Sequence, residues 1–270
     1  MGTSSVYGGP SNNDPKNNPL LPDDFVFGDE ENEQDDVDQS IEQTQATNDN
    51  KEVSWKDAKT YMSKLASGKY KNTGKAISNH IKAYGGSKAA SATAKAGINT
   101  VIRLGGFNSN STSSTFKTVL EEYKIDFKDK SAKEVLNELT NLIAPVPITK
   151  DDSIARKALI VTLEYIYDLL DEENLDFESI DIISLNLMVP LYIKNYIYER
   201  IISDLGSRIE FYSSSPEKAF ETEKELKEYI TAKVDIAFKG KDFTQVNFND
   251  NDTKKVIESL FNQCYTLMEE

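Results

Sequence analysis

A chain of 270 residues is long enough to bury one large core or two modest ones, yet its 38% hydrophobic content is low for a protein folded from end to end. One cysteine, Cys264, and one histidine, His80, exclude an internal disulfide and leave no Cys/His set for zinc, so a cytoplasmic protein without metal or other cofactor is expected. The net charge of −14 is unevenly placed, with −11 on residues 1–50, +9 on residues 51–103 and −12 on the rest, and this asymmetry bears on partners more than the total does.

Residues 1–50 combine Pro10, Pro15, Pro19 and Pro22 with Asn, Gly and a run of acids, and show neither a helical nor a strand period. Such a segment cannot bury enough apolar surface to offset its ordering entropy, so a disordered acidic tail is expected. Within it "LLPDDFVFG" is a short apolar island, which either docks on a partner or packs back on its own domain. The opening lacks the charged-then-apolar pattern of a signal peptide, and Val6 stands where N-myristoylation needs Ser or Thr.

Helical periodicity begins at Ser54. Ser54 and Asp57 have the spacing of a capping box; Trp55, Ala58, Tyr61, Met62 and Leu65 follow on one face, and Gly68 stops the helix. A second helix is expected from Thr73 to Tyr84, ended by "YGGS", and a third, Ala-rich helix from a Ser87 cap through Leu104, with "GGFNSNSTSST" as a loop. Small residues at 89, 90, 92, 94, 96 and 97 would let neighbouring backbones approach closely. This gives a small basic helical domain over residues 51–107.

A larger helical bundle is expected over 115–270. Ser131 with Glu134, and Thr149 with Asp152, cap two helices separated by Pro145 and Pro147. The stretch from Ile180 to Leu205 is apolar on nearly all sides and reads as the central helix or helix pair, bent at Pro190; Asn186, Lys194 and Glu199 break it as a membrane span. Ser215 and Pro216 start a charged helix towards Phe238, and a last helix carries Val256, Ile257, Leu260, Phe261, Cys264 and Leu267. "DFTQVNF" is the one candidate for a short strand. The fold class is all-α.

No enzyme motif emerges. "GKYKNTGKA" (residues 68–76) has five residues between its glycines, and Ala76 where a P-loop needs Ser or Thr, so it reads as a lysine-rich turn. "YGGS" and "RLGG" read as helix C-caps. His80, with no acidic neighbour in sequence, reads as packed or surface, and Cys264 as a buried, inert thiol. The positive block is the strongest physical sign of a partner: Lys56, Lys64, Lys69, Lys71, Lys75, Lys82, Lys88 and Arg103, with Trp55 beside them. Its cations suit either an acidic protein surface or a nucleic-acid backbone, and net charge alone identifies neither.

The opening "MGTSSVYGGP", the helix "SWKDAKTYMSKLASG" and "HIKAYGGSKAASATAKAGINTVIRLGGF" together resemble the QatB family, subunits of the bacterial Qat anti-phage defence system. The resemblance covers residues 1–10 and about 54–107 and rests on the order of these strings, none of which is a catalytic signature. It implies a non-enzymatic subunit whose partners are an ATPase, a TatD-like nuclease and, above all, the QueC-like enzyme QatC. QueC-type enzymes use ATP to activate the carboxylate of a 7-deazaguanine for transfer to an amine. If the QueC-like partner accepts a peptide amine, Gly2, exposed after loss of Met1, would be the acceptor. Thr3, Ser4 and Ser5 would supply hydrogen bonds, and Tyr7, Gly8 and Gly9 an extended, close-lying chain. Cleavage before Gly8 or Gly9 would generate alternative acceptors. The competing expectation is a nucleic-acid-binding adaptor that uses the lysines to deliver a nuclease.

Overall fold

The structure is a computed structural model that describes residues 54–109, 120, 121, 123–125, 130–172, 185–243, 246–248, 250 and 252–270. The expected acidic tail and its N-terminal string lie outside the described residues. Among the described residues there are nine helices and no strand, so the all-α expectation holds. They are α1 (Trp55–Ala66), α2 (Thr73–Ala83), α3 (Ser87–Ala92), α4 (Lys95–Ser109), α5 (Ala132–Ile143), α6 (Lys150–Glu172), α7 (Leu185–Tyr212), α8 (Pro216–Phe238) and α9 (Thr253–Glu269).

The starts of these helices follow local chemistry. Both capping boxes form: the Ser54 and Ser131 hydroxyls accept from the backbone N–H three residues on, while Asp57 and Glu134 return a carboxylate to the cap N–H. Thr149 and Asp152 exchange the same bonds at the start of α6. Ser215 accepts from Lys218 N–H, with Pro216 in the first turn of α8. Gly68, Gly85 and Gly86 have φ of +72°, +93° and +90°, a left-handed conformation that glycine alone adopts without steric cost, and they end α1 and α2.

Two expectations are corrected. The Ala-rich helix is broken at Thr93–Ala94 into α3 and α4, and Gly86, not Ser87, occupies the cap position of α3, where the Ser87 N–H donates to Glu269 at 2.8 Å. "RLGG" is not a C-cap either. Gly105 and Gly106 lie inside α4, which continues to Ser109 through residues expected to form a loop, and a Cβ on Gly105 would sit 2.1 Å from the Phe248 ring. That glycine serves close packing.

Glu52–Glu270 form one compact unit whose core runs from Ala58 and Met62 in α1 to Cys264 and Met268 in α9. The change in charge near residue 103 therefore does not coincide with any break in the core. Helix α7 is the central element and packs against α1, α4, α6 and α8. It is a single helix that contains Pro190, and it buries the stripe Val189, Tyr192, Ile193, Tyr196, Ile197, Ile201, Leu205 and Ile209 at helical spacing. Each fully buried large side chain is worth about 1.5–3 kcal/mol relative to exposure, so this stripe outweighs the single backbone bond that Pro190 forgoes. Small residues permit the close contacts: a Cβ on Gly97 would lie 2.7 Å from the Tyr196 ring, and one on Gly74 would lie 2.8 Å from the Tyr229 hydroxyl. Among the described residues no helix is long and apolar enough to cross a membrane.

Candidate functional site

Gly2, Thr3, Ser4, Ser5, Tyr7, Gly8 and Gly9 lie outside the described residues. The basic residues, by contrast, all fall on α1–α4 and the turns between them. Lys56, Lys69, Lys71, Lys75, Lys88 and Arg103 are exposed, while Lys64 and Lys82, in the last turns of α1 and α2, are half-buried. Arg103 is partly committed to the fold, since it donates to the Ile143 carbonyl at 3.3 Å.

Among the described residues the lysine ion pairs lie in the later part of the chain, although Lys124, Lys133, Lys227, Lys233, Lys239, Lys241 and Lys254 there form none. Lys59, Lys64, Lys69, Lys71, Lys75, Lys82, Lys88 and Lys95 form no ion pair among the described residues, whereas Lys130, Lys150, Lys157, Lys194, Lys218 and Lys255 each reach a carboxylate within 3.1 Å. Helices α2, α3 and α4 also have no acidic residue in their first turns, where the helix dipole favours one. Distant carboxylates serve two of them. Glu269 reaches α3, and Asp151 accepts from the Ala96 N–H at 2.7 Å at the start of α4 while holding the Tyr196 hydroxyl. The N-terminus of α2 has the neutral Asn72 cap, whose side chain accepts from Lys75 N–H at 2.8 Å, and the Thr73 hydroxyl there donates to Glu225 of α8.

Beside that N-terminus is a groove of about 590 Å³, walled by Leu65, Gly68, Tyr70, Lys71 and Thr73 from the α1–α2 side and by Lys218, Glu225, Glu228 and Tyr229 from α8. Glu225 lies 3.5 Å from the Thr73 hydroxyl, and the Tyr61 and Tyr70 rings meet edge to face at 5.8 Å. The stretch that resembles a P-loop thus forms a turn, with Gly68 ending α1 and Gly74 admitting Tyr229 of α8.

A second polar cluster lies beneath Trp55. The Trp55 ring meets His80 at 5.7 Å and Tyr84 at 5.0 Å, both edge to face. Asp204 of α7 accepts from His80 Nε2 at 2.9 Å, from the Tyr84 hydroxyl at 2.7 Å and from Lys150 Nζ at 2.7 Å. The acidic partner that the sequence around His80 lacks is thus supplied from 124 residues away. A carboxylate acceptor assigns the imidazole proton to Nε2. His80 Nδ1 is buried and has no hydrogen-bond partner among the described residues. Burial pushes the His80 pKa down against the pull of Asp204. Burial also pushes the Asp204 carboxyl up, but its three donors outweigh this and hold it well below the usual carboxylate range.

Arg200 extends the network. Its guanidinium lies 4.1 Å over the Tyr84 ring and donates to the Ala90 carbonyl, the Tyr265 hydroxyl and Thr93 Oγ1, closing the C-terminal end of α3. Geometrically the cluster is a strut that joins α2, α3, α6 and α7. Cys264 is buried, and burial lifts its thiol to about 12, so it is unreactive. No group of three or more His, Cys, Asp or Glu side chains that could hold a metal occurs among the described residues.

Comparison with known proteins gives one family. The family described as "Qat anti-phage system associated protein QatB" matches residues 85–268, a range that begins at the glycine turn after α2 and runs to the end of α9. No curated protein and no solved structure matches.

Proposed function

The chain belongs to the QatB family, a component of the Qat anti-phage defence system, and from that premise we propose that it acts as a non-catalytic subunit whose N-terminal glycine segment is the substrate of a QueC-like partner. The family match carries the first half of this reading. The opening string "MGTSSVYGGP" carries the second, because Gly2 is small enough for removal of Met1 and leaves an unhindered α-amine.

The chemistry balances with ATP as co-reactant. The carboxylate of a 7-deazaguanine attacks the α-phosphate to give an acyl adenylate and pyrophosphate. The Gly2 amine then attacks the acyl carbon, forming an amide as AMP leaves, and the amine proton passes to solvent or to a base of the partner. Within the chain itself the groups most suited to catalysis are committed to structure. His80 is locked on Asp204 beneath Trp55, and Cys264 is sealed in the core. Both facts support a subunit that is acted upon.

A synthetic peptide of residues 2–10, incubated with the purified QueC-like partner, ATP and the 7-carboxylate, tests the step directly. The expected product is the peptide plus the carboxylate less one water, with AMP released in equal amount. Absence of the adduct under conditions where the partner makes its ordinary amide would remove the modification reading. It would leave the runner-up, a nucleic-acid adaptor that works through the lysines of α1–α4.

A further inference from the structure

We propose that the groove between the α1–α2 turn and α8 is a docking site for an extended peptide segment of a partner protein, one that carries carboxylates next to a large apolar side chain. Three observations define the occupant. The volume of the groove, about 590 Å³, has room for a few residues of extended chain. Leu65, Tyr70 and Tyr229 give it apolar and aromatic wall, against which a Phe or Leu side chain would be desolvated.

The charges are split between the walls. Lys71 lines the α1–α2 side, with Lys69 and Lys75 exposed next to it in sequence and none of the three in an ion pair among the described residues. Glu225 and Glu228 line the α8 side; Lys218, the cation among the lining residues there, is engaged by Glu221 at 3.1 Å, and Lys224 lies 3.9 Å from Glu228, which leaves Glu225 without a cation among the described residues. A nucleic-acid strand presents phosphate to both walls and would be repelled by Glu225. A peptide can place its carboxylates towards the lysines alone, so the polarised groove selects protein over nucleic acid. Lys150, Lys157 and Lys194 each have a carboxylate partner, whereas Lys69 and Lys71 of the α1–α2 turn have none among the described residues.

This site is separate from the N-terminal glycines and does not rest on their modification. The test uses the full chain and a fluorescein-labelled nonapeptide, Gly-Ser-Asp-Asp-Phe-Leu-Lys-Gly-Ser, with fluorescence polarisation as readout and a labelled twelve-residue oligothymidine as the competing probe. Saturable binding of the peptide is expected, weakened roughly tenfold by Lys69→Glu with Lys71→Glu and several-fold by Tyr70→Ala. The lysines are exposed, so circular dichroism should show an unchanged fold. No saturable peptide binding, equal binding by the wild type and the double variant, or tighter binding of oligothymidine than of the peptide would each overturn the proposal. The N-terminal mass of the double variant, measured separately, tells whether the modification reading stands or falls apart from this one.

Discussion

At the residue scale, His80 has a consequence that can be read directly because the chain has no other histidine. Its folded pKa is lowered by burial, so between that value and the unfolded value of about 6.5 the unfolded chain binds the extra proton. Stability from this group is complete above about pH 6.5 and is lost as pH falls. Asp204, whose folded pKa is also lowered, adds a second loss below about pH 4. Urea denaturation at a series of pH values should show stability declining from pH 7 to pH 5, and His80→Gln, which can still donate to Asp204, should flatten that interval. A slope unchanged in His80→Gln would show that burial of the imidazole is not its source. Gly97 gives a second prediction. An added methyl would meet the Tyr196 ring, which is itself fully buried and held by Asp151, so Gly97→Ala should destabilise by about 1–3 kcal/mol in the same assay.

At the element scale, the division between α3 and α4 depends on one side chain from another helix. Thr93 caps α3 with no glycine or proline to stop it, and Arg200 holds the Ala90 carbonyl and Thr93 hydroxyl where the helix ends. Arg200→Lys keeps the charge but not the planar fork that serves several acceptors at once. Hydrogen exchange should then speed up first at the amides of Thr93 and Ala94, ahead of those in α7. Uniform acceleration through α7 would assign Arg200 to global stability instead. The same contrast explains what the sequence reveals about elements. The capping boxes at Ser54 and Ser131 and the glycine turn after Tyr84 are legible because donor and acceptor lie within a few residues of each other. The break at Thr93 and the helical Gly105 are not, because the atoms that decide them belong to Arg200 and Phe248.

At the scale of the whole molecule, the basic block is visible in composition alone, and the structure adds that Lys59, Lys64, Lys69, Lys71, Lys75, Lys82, Lys88 and Lys95 form no ion pair among the described residues. Composition cannot reveal that these helices share one core with the acidic remainder, since the shared surface is apolar and carries no charge signature. Nor can it reveal the groove, whose second wall comes from α8 some 150 residues further on. Family membership places the chain in an anti-phage defence system.

Intact and peptide-level mass spectrometry of the full chain, produced alone and together with the other Qat components, tests the central claim most directly. The expected result is an added mass on the amine of a glycine near the N-terminus, Gly2 in the first instance, present only on co-production and absent from Gly2→Pro. An N-terminus that is unmodified under both conditions would contradict it and transfer the explanation of function to the lysine-bearing helices.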